Sequence, residues 1–180
     1  MSNAVLTMRL WTRSFAAALC FLGAAPARAE SEATVKAAYL LNFAKLVDWP
    51  ASAFQGAQGA LVIGVVGRDA VGDELARAGA SANGRKIEVR RVAAGDAGAL
   101  AGCHLVFVPG SGGEAVIGAV QGRPVLVVGE AENFARRGGA LGFVKEGGTV
   151  KFEANPKAAA RNGLIVSAKL LRVARGVIDK

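Results

Sequence analysis

Apolar residues along this chain follow two rhythms. In residues 34–50 (TVKAAYLLNFAKLVDWP), Val35, Tyr39, Phe43 and Leu46 recur at spacings of four, four and three. That is the period of one helix face. On a wheel of about 100° per residue, Leu40 and Val47 widen the face while Lys45 and Asp48 lie opposite. Asn42 sits at the border, and Leu41 falls among the polar positions. Pro50 disfavours α geometry at Trp49, so the helix is predicted to end there. The segment is too short and too charged to span a bilayer, which takes about 20 apolar residues.

The second rhythm is the near-continuous apolar run: LVIGVV at 61–66, CHLVFV at 103–108 and PVLVV at 124–128. Such runs predict strands covered on both faces. Residues 85–92 alternate in part, with Ile87, Val89 and Arg91 facing one way, and read as a strand at or near a sheet edge. Short helices are predicted at 71–78, 96–100 and 114–120. A strand at 140–144 leads through Gly147-Gly148, a hairpin turn, into a strand at 149–154. Asn155-Pro156 supplies an N-cap and an N1 proline for a helix through Arg161, and Asn162-Gly163 suits a left-handed C-cap. Ser167 caps a final helix at 168–178. Its inner face is Leu170, Leu171, Ala174, Val177 and Ile178; its outer face is Lys169, Arg172 and Arg175. Strands alternating with short helices indicate an α/β layered sandwich, a mostly parallel sheet flanked by helices, with a late β-hairpin.

The first 29 residues stand outside that pattern. Arg9 and Arg13 precede an apolar stretch at 14–25, and Ala27-Arg28-Ala29 forms an A-x-A cleavage site. This predicts an export signal cleaved after Ala29, with release into a periplasm-like compartment. The remaining 151 residues, 30–180, fit one domain. Three of the 22 basic residues lie in the leader and no acidic residue does, so the net charge falls from +8 to +5. No Lys/Arg cluster is interleaved with aromatics, which argues against nucleic acid and for acidic partners or anionic surfaces. Bulky Leu19 before Cys20 does not fit a lipidation site. Cys103 is then the lone cysteine of the exported chain, so no disulfide can form within it, and its place beside an apolar strand predicts burial.

The sharpest catalytic motif is Gly110-Ser111-Gly112-Gly113-Glu114-Ala115. It satisfies G-x-G-x-x-A between a strand and a helix, with Glu130 twenty residues on. That spacing resembles a dinucleotide fingerprint. Pro109 intrudes on the turn, the helix is short, and a chain with 24 glycines meets the pattern cheaply by chance, so no cofactor is expected. His104 is the only histidine. Its neighbour Cys103 would point to the opposite sheet face, which excludes a dyad, and no ligand spacing suggests a metal. Loops beyond parallel strands are the usual ligand position in open α/β sheets, which nominates Arg68, Asp69, Ser111 and Glu130. For a protein partner, the candidates are outward Leu41 and the stripe Lys169, Arg172 and Arg175.

Several segments together resemble the YfiR family. They are KAAYLLNFAKLVDWP at 36–50, IGVVGRD at 63–69, CHLVFV at 103–108, VGE with FA and GG across 128–139, and FEANPKAAARNGLIVSAKLLRVAR at 152–175. The resemblance spans essentially the whole exported chain. It implies a periplasmic α/β protein, typically a homodimer, without catalytic activity. Such proteins bind the periplasmic domain of an inner-membrane sensor, a diguanylate cyclase, and hold it inactive, and an OmpA-like outer-membrane lipoprotein relieves the block. The output is altered cyclic-di-GMP, and hence biofilm and motility. The intramolecular disulfides of the best-known repressor have no counterpart here, since Cys103 stands alone. A second reading, from the residues themselves, is a periplasmic small-ligand or nucleotide receptor, or an enzyme, using the Arg68, Ser111 and Glu130 loops.

Overall fold

The computed structural model describes residues 31–54 and 59–179; the predicted export signal at 1–29, with Cys20, lies outside them. Helix α1 (Glu32–Leu46) leads into a two-residue strand β1 (Val47–Asp48) and a 3-10 turn at Ala51–Ala53. Then come β2 (Leu61–Val66), α2 (Ala70–Ala78), β3 (Ser81–Ala82), β4 (Arg85–Val92), α3 (Ala97–Ala101), β5 (Leu105–Val108), α4 (Gly113–Ala119) and β6 (Leu126–Gly129). The chain closes with β7 (Leu141–Glu146), β8 (Thr149–Ala154), α5 (Pro156–Arg161), β9 (Ile165–Val166), α6 (Ala168–Val173) and β10 (Gly176–Val177).

Eight strands form one sheet in the order β10-β8-β7-β6-β5-β2-β4-β3. Pairing is parallel from β4 through β7 and between β8 and β10, and antiparallel at β7–β8 and β3–β4. A separate antiparallel pair joins β1 to β9. The expected α/β sandwich with a mostly parallel sheet and a late hairpin is the fold observed. Gly147 and Gly148 both have positive φ, at 56° and 79°, as the tight β7–β8 turn requires.

The apolar runs serve two cores at once, because alternate strand residues face opposite ways. Leu61, Ile63, Val65, Leu105, Phe107, Leu126 and Val128 enter one core with α1 and α2. Val62, Val106, Val108, Val125 and Val127 enter the other with Leu100, Val116 and Phe134. The chain steps from β2 to β4 in one direction and from β5 through β6 in the other. Right-handed crossovers running in opposite directions place their helices on opposite faces, so α2 lies on the first face and α4 on the second.

The opening helix departs from its sequence pattern. It ends at Leu46, three residues before Trp49. Val47 turns extended to pair with Val166, and the Ser167 N–H takes the Leu46 carbonyl at 3.0 Å. Tertiary strand pairing thus stops the helix before Pro50 acts. Its fully buried line is Ala37, Leu40, Phe43 and Ala44, while Val35, Tyr39 and Leu46 are half-buried. Two alanines at the centre bring the helix close to its neighbours. Tyr39 and Phe43 meet Phe143 and Phe152 in an aromatic cluster with ring centroids 4.9–5.9 Å apart.

The final helix is also shorter than its pattern. Ser167 caps it as expected, accepting from the Leu170 N–H at 3.2 Å, but it stops at Val173. The Arg175 N–H then bonds the Phe152 carbonyl and the Ile178 N–H the Ala154 carbonyl, laying β10 along β8. Val177 and Ile178 are β-branched and suit a strand. Ile178 is buried by that pairing, but Val177 points outward and is 48 % exposed.

Candidate functional site

The strand-end residues singled out above do not converge. Arg68 is exposed beyond β2. Asp69 caps α2, its carboxylate accepting from the Val71 N–H at 2.8 Å. Ser111 is exposed on the β5–α4 loop. Glu130 turns the other way: one oxygen accepts the Gly110 N–H at 3.1 Å and the other is ion-paired to Lys36 of α1.

Lys36 is the residue that sequence reasoning missed. Its side chain is only 13 % exposed and lies between Glu130 and Glu32, the latter at 2.8 Å. Glu32 is also paired to Lys145 at 2.5 Å. Burial opposes the charge on Lys36, but the two carboxylates outweigh that cost and hold its pKa above the ordinary lysine range. Hydrogen bonds from Lys145 and Lys36 hold Glu32 down to about 2. The i,i+4 spacing of Glu32 and Lys36 was the available signal; Glu130 was not foreseeable from local sequence. The network lines a cleft of about 290 Å³ with Phe143, Val144 and Val150. Every charge in it has a partner within the protein, so it is built as a brace between α1 and the strand ends.

Three glycines brought together by the fold, one of them Gly113 at the start of α4, have an internal purpose. Gly113, Gly129 and Gly139 surround the ring of Phe134, which is 4 % exposed. A Cβ on Gly129 would lie 2.5 Å from the ring, and one on Gly113 or Gly139 would be closer still. None of the three has positive φ, so the ring alone excludes a side chain. In a dinucleotide site it is the glycines of the G-x-G, here Gly110 and Gly112, that make room for a pyrophosphate; both have positive φ, at 65° and 92°, and a Cβ on either would meet no atom within 4 Å. Phe134 accounts for Gly113, which is not one of the motif's two glycines.

His104 is 8 % exposed and fully engaged. Nδ1 accepts the Val62 N–H at 3.0 Å, which leaves Nε2–H to donate to the Ala53 carbonyl at 3.0 Å. Phe54 stacks on its ring at 4.6 Å, and the Arg85 guanidinium covers the far face of the same assembly, 3.8 Å from the Phe54 centroid. Burial pushes the His104 pKa below the ordinary range; the Ala53 bond opposes this and Arg85 reinforces it. The unfolded chain therefore takes up a proton first as pH falls. Stability from this group is whole above about pH 6.5 and erodes as pH drops through that value toward the lower folded pKa, with a slope of at most about 1.4 kcal/mol per pH unit. As the only histidine, His104 should own this dependence. Urea unfolding between pH 7.5 and 5.5 should show the loss in the parent and a nearly flat profile in His104→Gln. An equal slope in both would refute the assignment.

Cys103 is buried, with Sγ 3.4 Å from the Ala99 carbonyl and packed over Gly64. Burial pushes its thiol pKa up, which lowers its reactivity. Among the described residues no group of His, Cys, Asp and Glu could hold a metal ion, and no helix is long and apolar enough to cross a membrane.

The docking candidates are reordered. Leu41 is half-buried and packs against the first core, so it is not the free outward leucine of the wheel. Lys169 and Arg172 are exposed on α6. Arg175 lies past the helix and bonds Glu146 at 3.1 Å and Glu153 at 3.0 Å, so the three-residue stripe reduces to two. The same C-terminal stretch holds the large exposed hydrophobics of the described residues: Ile165 at 66 %, Val173 at 65 % and Val177 at 48 %. Only the truncation of α6 exposes Val177, which the helical wheel had turned inward.

No curated protein sequence matches the chain significantly. The sequence model of the YfiR/HmsC-like family, however, matches residues 33–175, from the first turn of α1 to the entry of β10, and the chain belongs to that family.

Proposed function

We propose that this protein is an exported regulatory binding protein. Residues 1–29 direct it to the periplasm, and residues 30–180 form the mature domain. It docks on the periplasmic domain of an inner-membrane sensor, a diguanylate cyclase, and biases it toward an inactive state, lowering cyclic-di-GMP. An outer-membrane lipoprotein that captures it would relieve the block.

The observation that carries this reading is family membership across residues 33–175. Two structural features support binding over chemistry. Asp69 is spent capping α2, and Glu130 is committed to Lys36 and Gly110. Exposed apolar residues Ile165, Val173 and Val177 occur beside Lys169 and Arg172 in one C-terminal stretch, a composition suited to an acidic, partly apolar partner surface.

Tagged mature protein should recover an inner-membrane sensor from detergent-solubilised membranes of its own organism and suppress that sensor's cyclase activity. The double variant Ile165→Glu/Val173→Glu should weaken binding by about tenfold or more, as expected for losing interface anchors worth ~1–2 kcal/mol. Its melting temperature should hardly move, since exposed substitutions cost within ~0.5 kcal/mol. Recovery of no sensor, or unchanged cyclase activity at saturating protein, would overturn the reading.

A further inference from the structure

The β5–α4 loop has a cleft on either side. Gly110 faces the charged brace beside α1, whereas Ser111 and Gly112 face a second cleft of about 320 Å³ on the opposite side of the sheet. Its walls are Val66 at the end of β2, Val108 at the end of β5, Leu100 of α3, and Ala115, Val116 and Ala119 of α4. It lies where the chain, having gone from β2 out to β4, returns to the other side of β2. In open α/β sheets such a reversal of strand order is where ligands bind, outside the carboxyl ends of the strands.

The lining carries no charged side chain. A charged ligand would lose hydration there with nothing to replace it, so the cleft selects neutral molecules. The volume is about twice that of a ~150 Å³ apolar cavity that takes up benzene, and sits at the lower end of the ~300–1,000 Å³ usual for ligand pockets. Ser111 is the one lining residue with a polar side chain, and its hydroxyl has no hydrogen-bond partner among the described residues. We propose that this cleft is a binding site for a small neutral molecule, one apolar ring with a short polar substituent, whose hydroxyl or carbonyl meets Ser111. This site is independent of the docking surface on β9, α6 and β10. It makes the regulator itself responsive to a diffusible compound.

The probes are benzyl alcohol, toluene and benzoate, titrated into the mature protein with the methyl groups of Val, Leu and Ala observed by NMR. Benzyl alcohol should shift Val66, Leu100, Val108 and Val116 saturably with a millimolar or tighter midpoint, and benzoate should not. Ser111→Ala, an exposed and structurally mild change, should weaken benzyl alcohol about fivefold, the worth of one neutral hydrogen bond, and leave toluene unchanged. Ala119→Leu should fill the cleft and abolish both. If that variant fails to fold, the Ser111→Ala contrast between the two probes still decides. Non-saturable shifts, shifts scattered over the surface, or equal binding of benzoate would overturn the proposal. So would loss of sensor capture in a folded Ala119→Leu variant together with no probe binding to the parent, which would assign the cleft to a partner's side chain.

Discussion

Phe134→Ala should lower stability by about 3–5 kcal/mol, the usual cost of emptying a buried phenylalanine site. In a domain of this size that is a fall in melting temperature on the order of 10 °C. The ring lies against backbone at Gly113, Gly129 and Gly139, and a polypeptide backbone cannot collapse inward as side chains do. The vacated volume should therefore remain largely open, which favours the upper end of the range. Gly139→Ala should itself destabilise the parent by about 1–3 kcal/mol through overpacking against the ring. In the Phe134→Ala background the same methyl enters empty space and should cost far less. Guanidinium unfolding of the parent, both single variants and the double variant closes the cycle, with an expected coupling of at least ~1 kcal/mol. Additive costs would mean that these glycines serve something other than the ring.

Asn155→Ala is the second large effect, at about 2–4 kcal/mol. Asn155 is 2 % exposed and works at both ends of its amide. Oδ1 accepts the Ala158 N–H at 2.8 Å, capping α5, and Nδ2 donates to the Ala135 carbonyl at 2.9 Å, beside Phe134. Losing the cap costs about 1 kcal/mol. Leaving the Ala135 carbonyl without its donor adds about 1–3 kcal/mol. Asn155→Ser separates the two, because a serine hydroxyl can still cap the helix but is too short to hold Ala135. It should fall between parent and alanine in a urea titration. Serine as stable as the parent would show that the Ala135 bond contributes nothing.

These residues also show how far the site was legible beforehand. Asn155 was readable as a cap because capping is local: the acceptor and the N–H it satisfies are three residues apart. Its hold on Ala135 spans twenty residues and leaves no mark on local pattern. The pairing of Gly113 with Phe134 is likewise non-local and leaves no mark on the local glycine pattern. Glu130 was correctly seen as a strand-end acid, but its commitment to Lys36, 94 residues away, could not be seen. The same limit moved the docking surface. Arg175 and Val177 fit a helical wheel as well as a strand, and only the unpaired edge of β8 decided between them.

The chain's sequence determined, by itself, everything that rests on periodicity and neighbouring residues. Continuous apolar runs specified doubly covered strands, Gly147-Gly148 the hairpin, and Ser167 and Asn155 the helix starts. The order of strands and helices specified the class of sheet. These follow because side-chain direction and capping are properties of a few consecutive residues. Tertiary structure decided where α1 stops, that 176–177 is an edge strand, and which charges are braced. It also decided that Phe134 packs against Gly113 at the start of α4, while an apolar cleft opens beside Ser111 and Gly112. Each of those depends on free energy gained across distant segments, and no stretch of sequence carries it alone.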